Sequence, residues 1–342
     1  MISFLIIFFI LFSLIAFIPP KDIYYKIVVF FGFGVLLVFT AALREIGVDR
    51  DSVLYEEMFY NYDVSMVEPS FQLLSQFIQK YLESDITYLF FLYAIFGVFT
   101  KLFAIKDLTK LWFLSLVIYL SNFYIIQELT TIRAGVASGF LMLCLKPIYD
   151  RDWKRFLLFA GIAIFFHYSA LVILPLWFLG NNPRKHWLLV SIPIGYLIYF
   201  SGINLVGVLP IPGIQEKLEM YKRLQELGDE KANAINVFNL VFLARIVIFY
   251  FLLWKYDLIA SNNKYFPLLM KIYCLGLVVF LIFSTLPVVA FRVNELYSIT
   301  EIILIPLLFY GFTPRVFSKL IIEFIGLCFL FIVLFYNKLI AS

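Results

Sequence analysis

Apolar residues in this chain come in long, nearly uninterrupted runs. A helix crossing a bilayer needs about 20 mainly apolar residues to cover a hydrocarbon core roughly 30 Å thick. The runs therefore predict membrane spans near 2–18, 27–43, 86–105, 111–126, 130–147, 187–209, 235–254, 267–286, 289–311 and 316–337. The fold class this implies is all-α: a polytopic integral membrane protein of about 10–12 transmembrane helices, with residues 1–342 forming a single integral membrane domain.

One run does not fit a simple crossing. Residues 156–179, FLLFAGIAIFFHYSALVILPLWFL, could span once by length, yet Lys154 and Arg155 precede them and Arg184 and Lys185 follow. Basic flanks at both ends favour the cytoplasmic side for both. The pattern thus predicts a hairpin that turns near His167–Ser169, with two arms of half length. Arms this short must be shielded by protein or line a cavity, because lipid offers irregular backbone no hydrogen-bond partner.

Composition supports the membrane class: 63% of the 342 residues are hydrophobic and only 15% charged, with a mean hydropathy of +0.96. A soluble core could not hide that much apolar surface. The net charge of +4 is too small to argue for nucleic acid. Cys144, Cys274 and Cys328 all fall in apolar runs, which indicates neither a disulfide framework nor a metal site. The first run has no positive n-region and no small-residue cleavage site, so it reads as a retained span. With both termini placed outside, the inner side collects sixteen of the 27 basic residues, Lys101, Lys271 and Lys319 among them, against only five acids. That bias sets the expected orientation.

Two polar segments then stand on the outer side, 44–85 and 210–234. The first begins acidic and tyrosine-rich. It continues as SFQLLSQFIQKYL, whose Phe71, Leu74, Phe77, Ile78, Tyr81 and Leu82 share one helical face, as in a helix lying in the interface. The second reads as a polar helix after a proline turn. The sequence contains no glycine-rich phosphate loop and no His/Cys cluster with metal spacing. Chemistry must come from isolated polar residues at or within the membrane.

Charged groups in lipid are costly and persist mostly where they face a cavity. Arg133 opens its span, and reads either as an interfacial arginine reaching water or as an anion ligand. Arg245 lies about ten residues, or roughly 15 Å, from either end of its predicted span, too deep for easy snorkelling. It is either half of a structural ion pair or anion-facing. Arg292 either pairs with Glu295 three residues on or faces an anion. His167, the one histidine outside a polar turn, is either a bonded core imidazole or a general base. Guanidinium binds phosphate through two parallel bonds and keeps its charge. Several arginines with a histidine, and no nucleotide or metal motif, point to chemistry on a lipid-linked phosphate.

The motifs LREIGVDRDSVLYEEMF, TTIRAGVASGFLML, KRFLLFAGIAIFFHYSALVILPLWFL and FRVNELYSITEIILIPLL, in that order, resemble the EpsG/Wzy-type polysaccharide polymerases of bacterial surface-glycan synthesis. The most specific part is an Ile-Arg opening one span and a Phe-His-Tyr-Ser-Ala-Leu stretch about 34 residues later. Arg44, Gly47, Asp49 and Tyr55 fit a looser first motif, although Asp51 could equally supply its acid. The resemblance implies a GT-C-like glycosyltransferase of the inner membrane, with its active site facing the periplasm. Such an enzyme joins lipid-linked repeat units of an O-antigen or capsule, with undecaprenyl diphosphate as leaving group. By the same resemblance, Arg133, Arg245 and Arg292 would hold the diphosphate, and His167, Asp49 or Asp51 would be the base. Arg44, Tyr55, Tyr168, Ser169 and Glu295 would line the substrate. No cofactor or metal is implied, and a chain-length regulator and a flippase would be its partners. A lipid-linked oligosaccharide flippase or transporter, or a glycan ligase, is the alternative reading; a flippase should show paired half-chains, and no internal repeat is present.

Overall fold

Charged residues that look like loop anchors in the sequence turn out to organise the interior. In the computed structural model, which describes residues 1–62, 68–182, 184–202 and 235–340, the described residues are predominantly helical. Among the described residues the one extended pairing is an isolated bridge between Asp49 and Ile340. The outer segment expected at 210–234 lies outside the described residues.

The helices cluster into two compact units, residues 1–178 with 301–342, and residues 179–300. In the first unit run α1 (Ile2–Phe17), α2 (Ile23–Ala42), the short α3 (Ser52–Tyr60) and α4 (Pro69–Phe77), then α5 (Ile86–Leu108). After them come α6 (Trp112–Ile118), which widens into a π-helix over Tyr119–Thr130, then α7 (Ile132–Asp150) and α8 (Trp153–Phe166). A last helix, Arg315–Phe331, closes the unit. In the second unit α9 (Lys185–Ser201) packs on Phe266–Ile282, which also packs on Pro287–Ser298. Lys185 bridges to Asp257 at 2.5 Å.

Among the described residues five helices are long and apolar enough to cross a membrane: Ile23–Ala42, Ile86–Leu108, Trp112–Thr130, Ile132–Asp150 and Arg315–Tyr336. Shorter apolar helices include Ile2–Phe17, Leu240–Trp254 and Phe266–Ile282. The all-α, polytopic fold read from the sequence is what the structure has. The run 289–311 is not one span: its helix stops at Ser298, and Glu301–Leu304 and a 3₁₀ turn at Pro306–Tyr310 follow. Proline at 306 offers no backbone N–H to continue an α-helix.

Trp112–Thr130 is almost wholly buried within the first unit. It carries Glu128, which accepts from Lys101 Nζ of α5 at 2.6 Å and from the Tyr119 hydroxyl at 3.0 Å. Lys101 Nζ also donates to the Gly135 carbonyl of α7 at 2.7 Å. Lys101 is 0% exposed, so it is a core residue and not the inner-loop charge that the orientation count assumed. The close approach needs glycine: a Cβ on Gly97 would stand 1.9 Å from Glu128 Oε2, and one on Gly139 would stand 1.9 Å from Thr100 Oγ1. Small residues let membrane helices meet backbone to backbone. Lys271 and Lys319, counted with Lys101, also end on carbonyls, of Gly180 and Phe17 respectively.

The 156–179 run forms the expected hairpin. Arg151 adopts a left-handed φ of 61° to end α7, and Asp152 caps α8 by accepting from Arg155 N at 3.1 Å. The helix stops at His167, whose backbone is extended, and a 3₁₀ helix Tyr168–Phe178 returns. Its far end meets the start of α8: Phe156 stacks on Trp177 at 5.1 Å and Arg151 donates to the Trp177 carbonyl at 2.5 Å. The two arms of 14 and 11 residues are about 21 and 22 Å long at their respective rises. His167 therefore sits at the tip.

Candidate functional site

The tip of the hairpin, the first turn of α7 and the N-terminus of α4 converge on one carboxylate. Glu68 precedes Pro69, the first residue of α4, with extended backbone. Its Oε1 lies 2.6 Å from His167 Nδ1, and its Oε2 accepts from Arg133 Nη1. Glu68 and His167 have side chains 8% and 12% exposed, and Arg133 is the most open of the three at 20%. His167 and Arg133 thus share a single partner.

Rings fix the arginine. Its guanidinium lies 5.5 Å from the Tyr55 ring centroid and 5.9 Å from that of Phe71, a geometry that favours a cation by the ring quadrupole. Tyr55, Phe71 and Tyr93 pack in succession at 5.8 and 6.2 Å. The Tyr93 and Ser70 hydroxyls are 3.1 Å apart. Phe166, next to His167, packs edge-on against Tyr93 at 5.5 Å, which holds the hairpin tip against α5.

Electrostatics keep the central carboxylate charged. Burial alone would raise the Glu68 pKa, but the bond from His167 and the charge of Arg133 outweigh it and hold the carboxyl at about 2. The Tyr55 phenol moves the other way, pushed up to about 12 chiefly by burial despite the nearby Arg133. Burial, and then the charge of Asp49, raise the Asp51 carboxyl, with Arg133 and Arg50 offsetting part of that.

The other predicted residues divide into groups. Arg44 and Asp49 form a fully enclosed pair, Nε to Oδ2 at 2.9 Å, with both side chains 0% exposed. Asp49 Oδ1 also accepts from the backbone N–H of Asp51 and Ser52 at 3.0 and 2.9 Å, so both oxygens are committed to shaping the turn into α3. Asp51 stands half-buried at the head of α3, within electrostatic reach of Arg133. Tyr55 is buried against Arg133 and presents no open face, whereas Tyr60 and Tyr168 are exposed. Ser169 follows at the hairpin tip, half-buried.

Arg245, Arg292 and Glu295 belong to the second unit. The helix of Arg245 starts at Leu240, where Asn239 accepts from Phe242 N at 2.9 Å. Five residues from that start is roughly 8 Å along the axis, so Arg245 is less deep than the apolar run alone implied. Arg292 is exposed and Glu295 half-buried on Pro287–Ser298.

Glu68 was missed in the sequence. Nothing local in the sequence distinguishes this acid from its neighbours in 44–68. A separate cavity of about 240 Å³, lined in part by Asp107, Met142, Lys146 and Arg155, lies at the opposite end of α7 and holds none of the predicted site residues.

With this geometry in place, comparison with known proteins narrows the lineage. A family model described as the EpsG family matches residues 26–342. The chain belongs to the EpsG family. The match takes in Arg44, Glu68, Arg133, His167, Arg245 and Arg292, so every arginine and histidine discussed above lies within the EpsG region. The family read from the sequence motifs is therefore borne out. This EpsG-family chain is 25% identical over 267 residues to the amylovoran biosynthesis protein AmsC of Erwinia amylovora, covering 75% of this chain and 68% of that protein. No solved structure matches.

Proposed function

We propose that the protein is a glycosyltransferase of polysaccharide biosynthesis. In this reading it joins lipid-linked oligosaccharide repeat units at the outer face of the bacterial inner membrane, with undecaprenyl diphosphate as leaving group. The observation that carries the reading is the pairing of Arg133 and His167 through Glu68. It gives a permanent cation and a bonded imidazole within reach of one small substrate region, where one can hold a diphosphate and the other take a proton. Membership of the EpsG family and the relative named for amylovoran biosynthesis support the same class of chemistry.

The step balances without a cofactor. His167 Nε2 takes the proton of an acceptor hydroxyl, whose oxygen bonds the anomeric carbon of the donor. The carbon–oxygen bond to the diphosphate breaks, and the electron pair leaves with the diphosphate. Arg133 offsets the charge that develops there. Asp49, with both oxygens committed, is assigned to shaping the turn and not to proton transfer; Asp51 is the remaining alternative base. Exposed Tyr60 and Tyr168 offer rings and hydroxyls for sugars.

The test is the glycan profile of a deletion strain complemented with wild type, His167→Ala or Arg133→Lys. The expected phenotype is a single repeat unit left on its carrier. A lysine cannot reproduce the two-bond grip on phosphate, and losing a general base costs about 10²–10⁴-fold, so both variants should leave mostly single units. Complete absence of glycan would mean a flippase or ligase, and normal chains from both variants at normal protein level would remove this site from the reaction.

A further inference from the structure

Glu68 gives each of its oxygens to a different partner, and the two partners have different jobs in the proposed reaction. We infer that Glu68 is a positioning residue with a second role as the internal occupant of the diphosphate position. One oxygen fixes the His167 ring, and the other is exchanged for a phosphate oxygen when the lipid-linked donor reaches Arg133. The inference rests on the polymerase reading of this site.

Three features carry it. A carboxylate can only accept from Nδ1 of a neutral imidazole, so the proton sits on Nδ1 and the Nε2 lone pair is left for an acceptor hydroxyl. Next, Arg133 is walled by the Tyr55 and Phe71 rings, and its Nη1 edge is already taken by Glu68. Carboxylate and phosphate use the same fork of guanidinium donors, so an arriving diphosphate competes with Glu68 for Arg133. Finally, the carboxyl stays ionised through the physiological range, as its depressed pKa requires. Once the diphosphate holds Arg133, the whole charge of Glu68 remains to stabilise the imidazolium formed as the acceptor is deprotonated. The ionisable groups around this exchange are Asp51 and Tyr55 near α3, Tyr93 on α5, and Arg133 on α7. A base armed only when a leaving group is seated would spare the donor from hydrolysis.

The consequence is a split that a merely structural residue would not produce. Glu68→Gln should bind undecaprenyl diphosphate and inorganic pyrophosphate more tightly, because Arg133 has lost its competitor, by roughly fivefold for one partly screened pair. The same variant should polymerise at least about tenfold more slowly in kcat, since the imidazolium has lost its carboxylate. Loss of structure would weaken both.

The full chain has only two histidines, so nitrogen NMR of histidine-labelled protein, with His186→Gln for assignment, reads the ring directly. Wild type should show His167 as the Nδ1–H tautomer, and Glu68→Ala should move it toward Nε2–H. This wild-type reading stands even where a variant fails to fold. An Nε2–H tautomer in the wild type, weaker pyrophosphate binding by folded Glu68→Gln, or an unchanged kcat in that variant would each overturn the inference. If His167→Ala and Arg133→Lys stop polymerisation while Glu68→Gln shows no split, only the inference falls and the polymerase reading stands.

Discussion

Arg44–Asp49 and Arg133–Glu68 are both arginine–carboxylate pairs of the first unit, yet they differ in what surrounds them. The first is closed on every side, with both side chains 0% exposed. The second keeps an arginine 20% exposed and shares its carboxylate with a histidine. Breaking an enclosed pair leaves a buried charge uncompensated, at about 3–5 kcal/mol. Asp49→Asn is therefore expected to lower the melting temperature and protein level while the surviving protein keeps its kcat. Normal stability with a collapsed kcat would make Asp49 the base after all. Glu68 should behave differently with pH. Its folded pKa of about 2 lies below the ordinary 4.5, so the stability it supplies is complete above the unfolded value and is lost as pH falls through the folded one. Melting temperatures of wild type and Glu68→Gln should differ by a steady amount above about pH 5, draw together as pH falls below about 4.5 and meet only near pH 2. A gap that stays constant through the acid range would mean that the charge of Glu68 contributes nothing.

Among the elements, the α5–α7 contact shows what a linear reading can and cannot see. The hairpin of α8 and its 3₁₀ return was legible because charge flanked both ends of one apolar run, a property local in sequence. Glu68 was not, because it is one of seven acids in 44–68 and its partners lie 65 and 99 residues away. Lys101 misled for a related reason: a lysine near the end of an apolar run looks like an inner anchor until Glu128, 27 residues on, is found beside it. Arg245 was set too deep because the apolar run continues past the Asn239 cap that begins its helix. The Lys101–Glu128 pair also binds α5 to the first turns of α7 through the Gly135 carbonyl, two residues from Arg133. Lys101→Met should cost about 3–5 kcal/mol by stranding Glu128, and adding Glu128→Met should recover much of it. Thermal unfolding of the two singles and the double in detergent measures this directly. A double variant as unstable as the sum of its singles would mean the two residues do not act as a pair.

At the scale of the whole molecule the hairpin bears on which way the frame faces. Because the arms of α8 and its 3₁₀ return fold back on each other, with Arg151 against Trp177, the chain before Trp153 and the chain after Phe178 leave from the same end. The site lies at the other end, where His167 turns. Basic residues on both flanks of the hairpin favour the cytoplasm for its open end, and on that ground we propose that the tip and the site face outward. Cysteines placed singly at Tyr60, Lys154 and Asn182, in a background where the exposed Cys328 is serine, should separate cleanly. An impermeant thiol reagent added to spheroplasts should reach Tyr60, which is exposed on α3 close to the site, and should miss the other two until the membrane is opened. Labelling of Lys154 and Asn182 with Tyr60 protected would invert the frame and place the chemistry on the cytoplasmic side. Labelling of Asn182 alone with Tyr60 would mean that residues 156–179 cross the membrane once, and the carboxylate shared by Arg133 and His167 would then need a different route to a periplasmic substrate.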